Sequence, residues 1–151
     1  MEIRLIRNGD FQQYRTDLIR LFNIALSLNF PNVNPEVEAL SYFEKMYTFF
    51  TDGSAIIFVA FDGKNLAGFN WAHEVNKLGQ KRLHSAFIVV DEKYQKRGVA
   101  KELLVNIEKE AKQRGIRYIE ALCSVSNEAA VNYHLRNGFT VERLKVVKKL
   151  K

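Results

Sequence analysis

The sequence predicts one α+β domain, residues 1–151, with helices on both faces of a mixed, mostly antiparallel sheet of six to seven strands. Strand-like and helical patterns alternate in the order strand, two helices, three strands, helix, strand, helix, and a last strand or two. Residues 86–90 are apolar on both faces of a strand, as in a central strand covered on each side. A chain of 151 residues without repeat or linker has the size of one domain.

The N-terminal third has the pattern of a short strand followed by two helices. Residues 2–5 alternate apolar and polar, which indicates the strand. Asp10, with Gln13 three residues later, predicts the N-cap of the first helix. Asn34 and Pro35 predict the cap and first turn of the second helix. Buried faces are predicted by apolar residues at three- and four-residue steps: Tyr14, Leu18, Leu21, Phe22, Ala25, then Val37, Leu40, Phe43, Tyr47, Phe50.

The remaining two thirds predict an antiparallel meander followed by alternating helices and strands. Strands are expected over 55–61, 66–75 and 83–90, with a hairpin signal at Asp62 and Gly63. Helices are expected over 98–114 and 127–136, and strands over 118–123 and 139–147.

Composition indicates the cellular compartment more clearly than the function. One cysteine, Cys123, excludes an internal disulfide, and three scattered histidines give no structural zinc spacing, so a reducing, cytoplasmic setting is expected. No apolar stretch approaches the ~18 residues of a membrane span. The net charge of +6 attracts anions, but charge alone does not choose among nucleic acid, membrane headgroups and a phosphorylated small molecule.

The segment from Gln95 to Lys101, called here the 95–101 turn, carries the clearest chemistry. It joins the apolar strand to an amphipathic helix, whose unpaired backbone N–H groups form an anion site. Lys96, Arg97 and Lys101 add positive charge, and Gly98 lets an anion approach the backbone. The alternative is a solvated basic turn. A P-loop and a Gly-x-Gly-x-x-Gly fingerprint are both absent.

The pattern Gln95-x-x-Gly98-x-Ala100 after a central strand resembles the signature of the GNAT superfamily of N-acetyltransferases. A second family element recurs downstream as Asn127-x-x-Ala130 followed by Gly138-Phe139. The resemblance covers nearly the whole chain and implies a GNAT-like fold.

The resemblance implies acetyl-CoA as co-substrate, without a metal. The 95–101 turn would hold its pyrophosphate, the central strand its pantetheine, and Asn127 a hydrogen bond, although Asn127 also suits a helix N-cap. The implied cofactor-binding residues are Ile88, Val89, Val90, Gln95, Lys96, Arg97, Gly98, Val99, Ala100, Lys101 and Asn127.

Catalytic candidates follow from the same resemblance and from proton chemistry. Many family members place a tyrosine seven residues after the motif asparagine; here that position is His134, and Tyr133 is one earlier. Because consecutive helical residues point about 100° apart, only one of them faces the thiol. The hypothesis is that His134 does, as acid or hydrogen-bond donor, with Tyr133 as a further candidate. The alternative is that Tyr133 packs in the core and His134 is a neutral spacer.

For the base, His84 lies where some family members carry a glutamate, on the parity of Ala86, Ile88 and Val90. His73 and Glu74 are its substitutes.

The predicted activity is direct transfer of an acetyl or other short acyl group to a primary amine, with a small molecule as the expected acceptor. No nucleic acid or membrane partner is expected, and the family's frequent pairing through C-terminal strands makes a homodimer an expectation. The alternatives are a non-catalytic acyl-CoA sensor or interaction module and a protein N-terminal or lysine acetyltransferase.

Overall fold

The computed structural model describes all 151 residues. Its elements are β1 (Glu2–Leu5), α1 (Asn8–Gln13), α2 (Arg15–Asn29), α3 (Pro35–Thr51), β2 (Ala55–Asp62), β3 (Asn65–Lys77), β4 (Gln80–Val90), a 3₁₀ turn (Glu92–Tyr94), α4 (Val99–Gln113), β5 (Ile119–Ala121) and α5 (Glu128–Arg136).

The five strands form one sheet in the order β1-β2-β3-β4-β5. Only β4 and β5 are parallel neighbours; the other pairs are antiparallel. The mixed, mostly antiparallel sheet is confirmed, but the count of six to seven strands is wrong. Residues 137–151 form neither helix nor strand, so the strand expected over 139–147 is missing. The apolar side chains of this segment, such as Leu144 and Val146, stay exposed, so it gains no burial that would hold it as a strand.

Helices cover both faces of the sheet, as predicted. A cluster of 17 buried residues lies under α1, α2 and α3 and includes Phe22 and Trp71. A second cluster of 11 residues lies under α4 and includes Leu83 and Ile107. No helix combines the length and the apolar character needed to cross a membrane.

The first helical stretch starts earlier than predicted and is divided in two. Tyr14 separates α1 from α2, and α1 begins at Asn8. Asp10 is the third residue of α1 rather than its N-cap. Its buried carboxylate accepts the Arg7 backbone N–H at 2.7 Å and pairs with Arg4 of β1 at 2.7 and 3.0 Å. The partner on β1 therefore decides where the helix begins.

The second helix starts as predicted. The Asn34 side chain accepts the Glu36 backbone N–H at 3.1 Å, and Pro35 occupies the first turn of α3. Capping satisfies one of the free N–H groups of the helix start. This N-cap is confirmed because its bond is local to the sequence.

An extra residue in β4 changes which side chains share a face. Trp71 of β3 pairs with Phe87, and Ala72 pairs with Ser85, so Ala86 is a bulge without a partner. One inserted residue reverses the alternation of side chains and backbone groups beyond it.

The bulge corrects the predicted parity of His84. Ala86 and Val89 pack in the cluster beneath α2 and α3, whereas Val90 packs against the cluster beneath α4. His84 pairs with His73, which stacks on α3, so it faces α3. The shared parity is therefore correct for Ala86 and wrong for Ile88 and Val90.

Strands β3 and β4 approach most closely at Gly68. A Cβ added at this glycine would lie 2.5 Å from the Val89 carbonyl oxygen and 3.2 Å from the Val90 Cα. Only glycine fits here without moving the backbone of β4.

Candidate functional site

The 95–101 turn leaves β4 through the 3₁₀ turn and enters α4 with two residues in left-handed conformations. Lys96 has φ 61° and Gly98 has φ 80°. Gly98 is the N-cap of α4, and no side chain caps the helix. A β-carbon at Gly98 would meet open space, so the positive φ, and not a lack of room, favours glycine here. The glycine also leaves the start of α4 uncovered.

Six consecutive backbone N–H groups, from residue 96 to residue 101, have no acceptor in the chain. The hydrogen-bonded N–H groups on either side belong to Gln95, which donates to the Glu92 carbonyl, and Glu102, which donates to Gly98 at 3.0 Å. Unpaired donors at a helix start add to the positive end of the helix dipole. This backbone therefore forms a concave anion site.

Charged side chains surround the anion site, and one apolar side chain anchors it. Lys96, Arg97 and Lys101 are exposed. The Arg97 guanidinium lies 5.6 Å from the ring centroid of Tyr94. Val99 points into the core beneath α4 at 3% exposure, so only its backbone belongs to the site.

Asp91 ties the turn to α2 and was missed by the sequence reasoning. Its carboxylate pairs with Arg20 at 2.7 Å and accepts the Lys93 N–H at 3.0 Å. Burial opposes ionisation, but these hydrogen bonds hold the pKa of Asp91 below its ordinary value. An aspartate directly after an apolar strand was the only sequence signal, and its partner is 71 positions away along the chain.

Next to the turn, β4 has a free edge. The last residue pair joining β4 to β5 is Ser85 with Ala121, whereas β4 continues to Val90. We call the resulting space the β4–β5 gap. Asp91 donates its N–H to Ala67 of β3, and backbone direction alternates along a strand.

By this alternation, the backbone of Ile88 and Val90 faces the gap, and that of Val89 faces β3. The Val90 carbonyl accepts the Gln95 side-chain amide at 3.1 Å. Of the three strand residues predicted to meet the pantetheine, two therefore present backbone groups to the gap, and Val89 does not.

The far side of the gap is tied to the end of α2. Ser124 donates its hydroxyl to the Asn29 carbonyl at 2.8 Å, and the Asn127 amide donates to the Asn29 side chain at 3.1 Å. Asn127 also accepts the Ala130 N–H at 3.3 Å, which confirms it as the N-cap of α5. Its contact with a cofactor stays a prediction.

The structure gives the two candidate acids on α5 different surroundings. His134 Nδ1 lies 2.8 Å from the Ala130 carbonyl, to which it donates, and 3.3 Å from Cys123 Sγ. Its ring packs edge-on against Phe139 at 4.9 Å. In the neutral ring, the proton on Nδ1 leaves Nε2 as an acceptor.

The Tyr133 hydroxyl is buried and has no hydrogen-bond partner. Burial, with a smaller influence from Glu108, raises the pKa of Tyr133 to about 12. The phenol is therefore a protonated donor throughout the neutral range. Burial also raises the pKa of the neighbouring Cys123 thiol.

The candidate bases lie before the gap. His84 Nδ1 is 3.0 Å from Glu120 Oε2 of β5, and its ring is 5.3 Å from that of His73. Glu74 lies on the strand pair's other face, near Lys81 at 3.6 Å and near Arg114, the C-cap of α4, at 3.9 Å. Glu120 was not predicted, because its neighbour becomes apparent only from the parallel register of β4 and β5.

A cavity of about 500 Å³ lies between α2, the start of α3 and the 95–101 turn. Its wall includes Asn23 and Ser27 of α2, two carboxylates, Glu36 and Glu92, and Gln95. Asn23 Oδ1 is buried without a partner. Ser27 and Leu28, near the end of α2, border this cavity. Trp71 belongs to the core at 2% exposure.

The side chains offer no evident metal centre: no three His, Cys, Asp or Glu residues group in a way that could hold an ion.

A family model described as the acetyltransferase (GNAT) family matches residues 18–139. None of the curated protein sequences compared with the chain matches significantly.

Several solved structures have a similar fold at low identity. An aminoglycoside acetyltransferase from an uncultured soil metagenomic sample, in complex with trehalose, has a TM-score of 0.74 at 15% identity, covering 99% of this chain and 95% of that one. The same enzyme in complex with sisomicin gives 0.73 at 16%, with coverage of 99% and 95%. A putative acetyl transferase from Pyrococcus furiosus gives 0.75 at 21%, covering 99% and 100%. At these identities the likeness concerns the fold.

Proposed function

The chain belongs to the GNAT family of acetyltransferases, and from that premise we propose that it transfers an acetyl or other short acyl group from its CoA ester to a primary amine of a small molecule. One observation carries the proposal. Six unpaired N–H groups of residues 96–101 adjoin the free backbone edge of Ile88 and Val90. A diphosphate followed by an amide-bearing arm matches this sequence of donors.

The residues present fit acetyl-CoA, which the family normally uses. Residues 96–101 would receive the pyrophosphate, with Lys96, Arg97 and Lys101 supplying charge. Ile88 and Val90 would bond the pantetheine amides as an added strand does. When bound, acetyl-CoA supplies the activated acyl group.

The free N–H groups of β4 would also stabilise negative charge on the acyl oxygen during attack. Removing one such donor from other enzymes costs about 3 kcal/mol of transition-state stabilisation. Here the donors are backbone groups held in the sheet, so they need no rearrangement when charge develops.

We propose Tyr133, rather than His134, as the group that donates to the departing thiolate. Its hydroxyl is a buried donor without a partner, whereas His134 already donates to Ala130. A buried hydroxyl without a partner is costly unless a ligand satisfies it.

We assign proton removal from the amine to His84. A primary alkylamine has a pKa of about 10.4 in water and is largely protonated at neutral pH, so a base is required. His84 lies beside the gap, and Glu120 occupies its Nδ1 nitrogen.

The cavity beside α2 favours a small cationic acceptor. Glu36 and Glu92 are exposed at its wall and offer negative charge to a second ammonium group. Arg20 also lines the cavity, but its guanidinium is paired with Asp91. The aminoglycoside acetyltransferase of similar fold is consistent with an acceptor that carries several amines, without identifying it.

The test combines calorimetric binding of acetyl-CoA with a thiol-release assay against small amines, amino sugars, aminoglycosides and peptides. We expect binding that weakens with salt and turnover of at least one small amine. Binding without any turnover would favour an acyl-CoA sensor, and turnover of peptides alone would favour a protein acetyltransferase. Absence of binding would refute the proposal.

A further inference from the structure

Three polar side chains on three neighbouring strands form a row on the sheet face that α3 covers. The register aligns His73 of β3 with His84 of β4, and His84 with Glu120 of β5. We call these three residues the histidine row. It lies one residue before β4 and β5 separate and two before the bulge at Ala86.

Glu120 is held as a carboxylate at one end of the row. Lys77 Nζ lies 2.7 Å from its Oε2, and Arg82 lies 3.9 Å from its Oε1. Burial opposes ionisation, but hydrogen bonds from Lys77 and His84 keep the pKa of Glu120 below its ordinary value. The second oxygen, Oε1, is buried and has no hydrogen-bond partner.

A carboxylate on Nδ1 determines the tautomer of His84. Only a protonated Nδ1 can donate to Glu120 Oε2 at 3.0 Å, so the neutral ring carries its lone pair on Nε2. The arrangement is a carboxylate–imidazole pair in which one nitrogen is engaged and the other is available to accept a proton.

His73 packs at the other end of the row and adds little positive charge to it. It stacks on Phe49 of α3 at 4.4 Å, and burial lowers the pKa of its ring. Its Nδ1 has no partner. The charged groups around the row are Glu120 itself, Lys77 and Arg82 beside it, and Asp52, whose charge acts on His73.

We propose that Glu120 is a positioning residue that orients His84 as the base for the acceptor amine; this inference rests on the proposed function. His84 Nε2 takes one proton from the acceptor ammonium, and the free amine nitrogen then bonds to the acyl carbon. Glu120 retains the Nδ1–H bond and stabilises the imidazolium. The carbon–sulfur bond breaks with its electron pair on sulfur, the second proton of the amine nitrogen passes to that sulfur, and the proton on Nε2 leaves to solvent, so the products are an amide and a free thiol.

The first test needs no turnover. Nitrogen-15 NMR of the three histidines distinguishes the tautomers, and a His84→Ala spectrum assigns the signal. We expect neutral His84 to be protonated on Nδ1 in the wild type and a mixture of tautomers in Glu120→Ala. A wild-type His84 protonated on Nε2 would overturn the proposal, whether or not any amine is acetylated.

The second test uses rate. Glu120→Gln keeps an acceptor and removes the charge, so we expect kcat/KM to fall roughly 10- to 100-fold and the acid limb of its pH profile to move to lower pH. In a His84→Ala background, Glu120→Gln should have no further effect, because the two residues act as a unit. Additive losses would show that Glu120 does not act through His84.

Glu142→Gln is the matched control. Glu142 is an exposed carboxylate that pairs with Arg82 at 2.8 Å, within the same charged cluster, but does not touch His84. We expect its rate and pH profile to be those of the wild type. A thermal melt of every variant separates lost folding from lost catalysis. If the wild type acetylates no amine while the tautomer result holds, the proposed function is refuted, whereas the orientation of His84 by Glu120 is supported.

Discussion

The 95–101 turn follows the bulge of β4, and the histidine row precedes it. The two sites differ in the groups that form them. The turn is built of consecutive backbone N–H groups, whose positions depend on Gly98, the bound Asp91 and the start of α4. The row is built of side chains from three strands, aligned by register alone. A backbone site tolerates most side-chain changes, whereas a side-chain site fails when one strand shifts.

The largest effect is expected at Gly68, where β3 and β4 approach most closely. Both the 95–101 turn and the histidine row depend on the position of β4. Gly68→Ala puts a Cβ 2.5 Å from the Val89 carbonyl oxygen, so β4 must move. We expect a loss of roughly 1–3 kcal/mol in the free energy of unfolding, with weakened acetyl-CoA binding. Chemical denaturation and calorimetry measure the two.

The matched control for that change is Gly9→Ala, where the added carbon meets nothing within 4 Å and the glycine is helical. It should be neutral or stabilising. Unchanged stability and binding in Gly68→Ala would show that the close approach of β3 to β4 does not hold the site together.

A smaller effect is expected on α5. Tyr133→Phe removes a buried hydroxyl without a partner, so the free protein should become more stable, while kcat falls about tenfold. The fall is modest because a thiol with a pKa near 8.5 is already a good leaving group. Chemical denaturation measures the expected gain in stability, and steady-state rates at saturating acetyl-CoA measure the expected fall in kcat.

His134→Phe is the comparison variant for this prediction. It breaks the bond to Ala130 and should reduce the stability of α5 more than it reduces kcat. If His134→Phe abolishes turnover and Tyr133→Phe leaves it unchanged, the assignment of the donor is reversed.

The phenol also predicts a pH dependence of stability. Because the pKa of Tyr133 is about 12 in the folded chain and about 10 when unfolded, the unfolded chain ionises first. Ionisation of the unfolded chain therefore lowers the free energy of unfolding between about pH 10 and 12, with no such effect below about pH 10, and Tyr133→Phe lacks that loss.

The smallest effect is a change in acetyl-CoA affinity, and it tests the 95–101 turn. Gly98 and Gly115 flank α4, both with positive φ and open space at the added carbon. Alanine at either should cost roughly 1–2 kcal/mol of folding free energy. Only Gly98→Ala should also weaken acetyl-CoA binding, by a few-fold. Equal affinity of both variants for acetyl-CoA would show that Gly98 does not contribute to the anion site.

Local features of the fold followed from the sequence because their causes lie within a few residues. The N-caps Asn34 and Asn127 are examples, since each bonds a backbone N–H two or three positions later. Asp10 was misassigned as a cap because its partner, Arg4, belongs to a strand that packs against the helix.

The same distinction applies to the site. The sequence by itself determined the family signature and the 95–101 turn, because a strand, a polar turn and a helix start are contiguous and their N–H groups are free by geometry. The roles of the individual residues stay predictions. The neighbour of His84 and the surroundings of Tyr133 and His134 depend on contacts across the chain.

Only the tertiary structure decided the strand count, the face of His84 and the pairing with Glu120. One extra residue at Ala86 reverses every side chain beyond it, and the chain after α5 joins no strand because its apolar side chains find no core to enter. Register between distant strands is set by packing of the whole sheet, so no local pattern contains it.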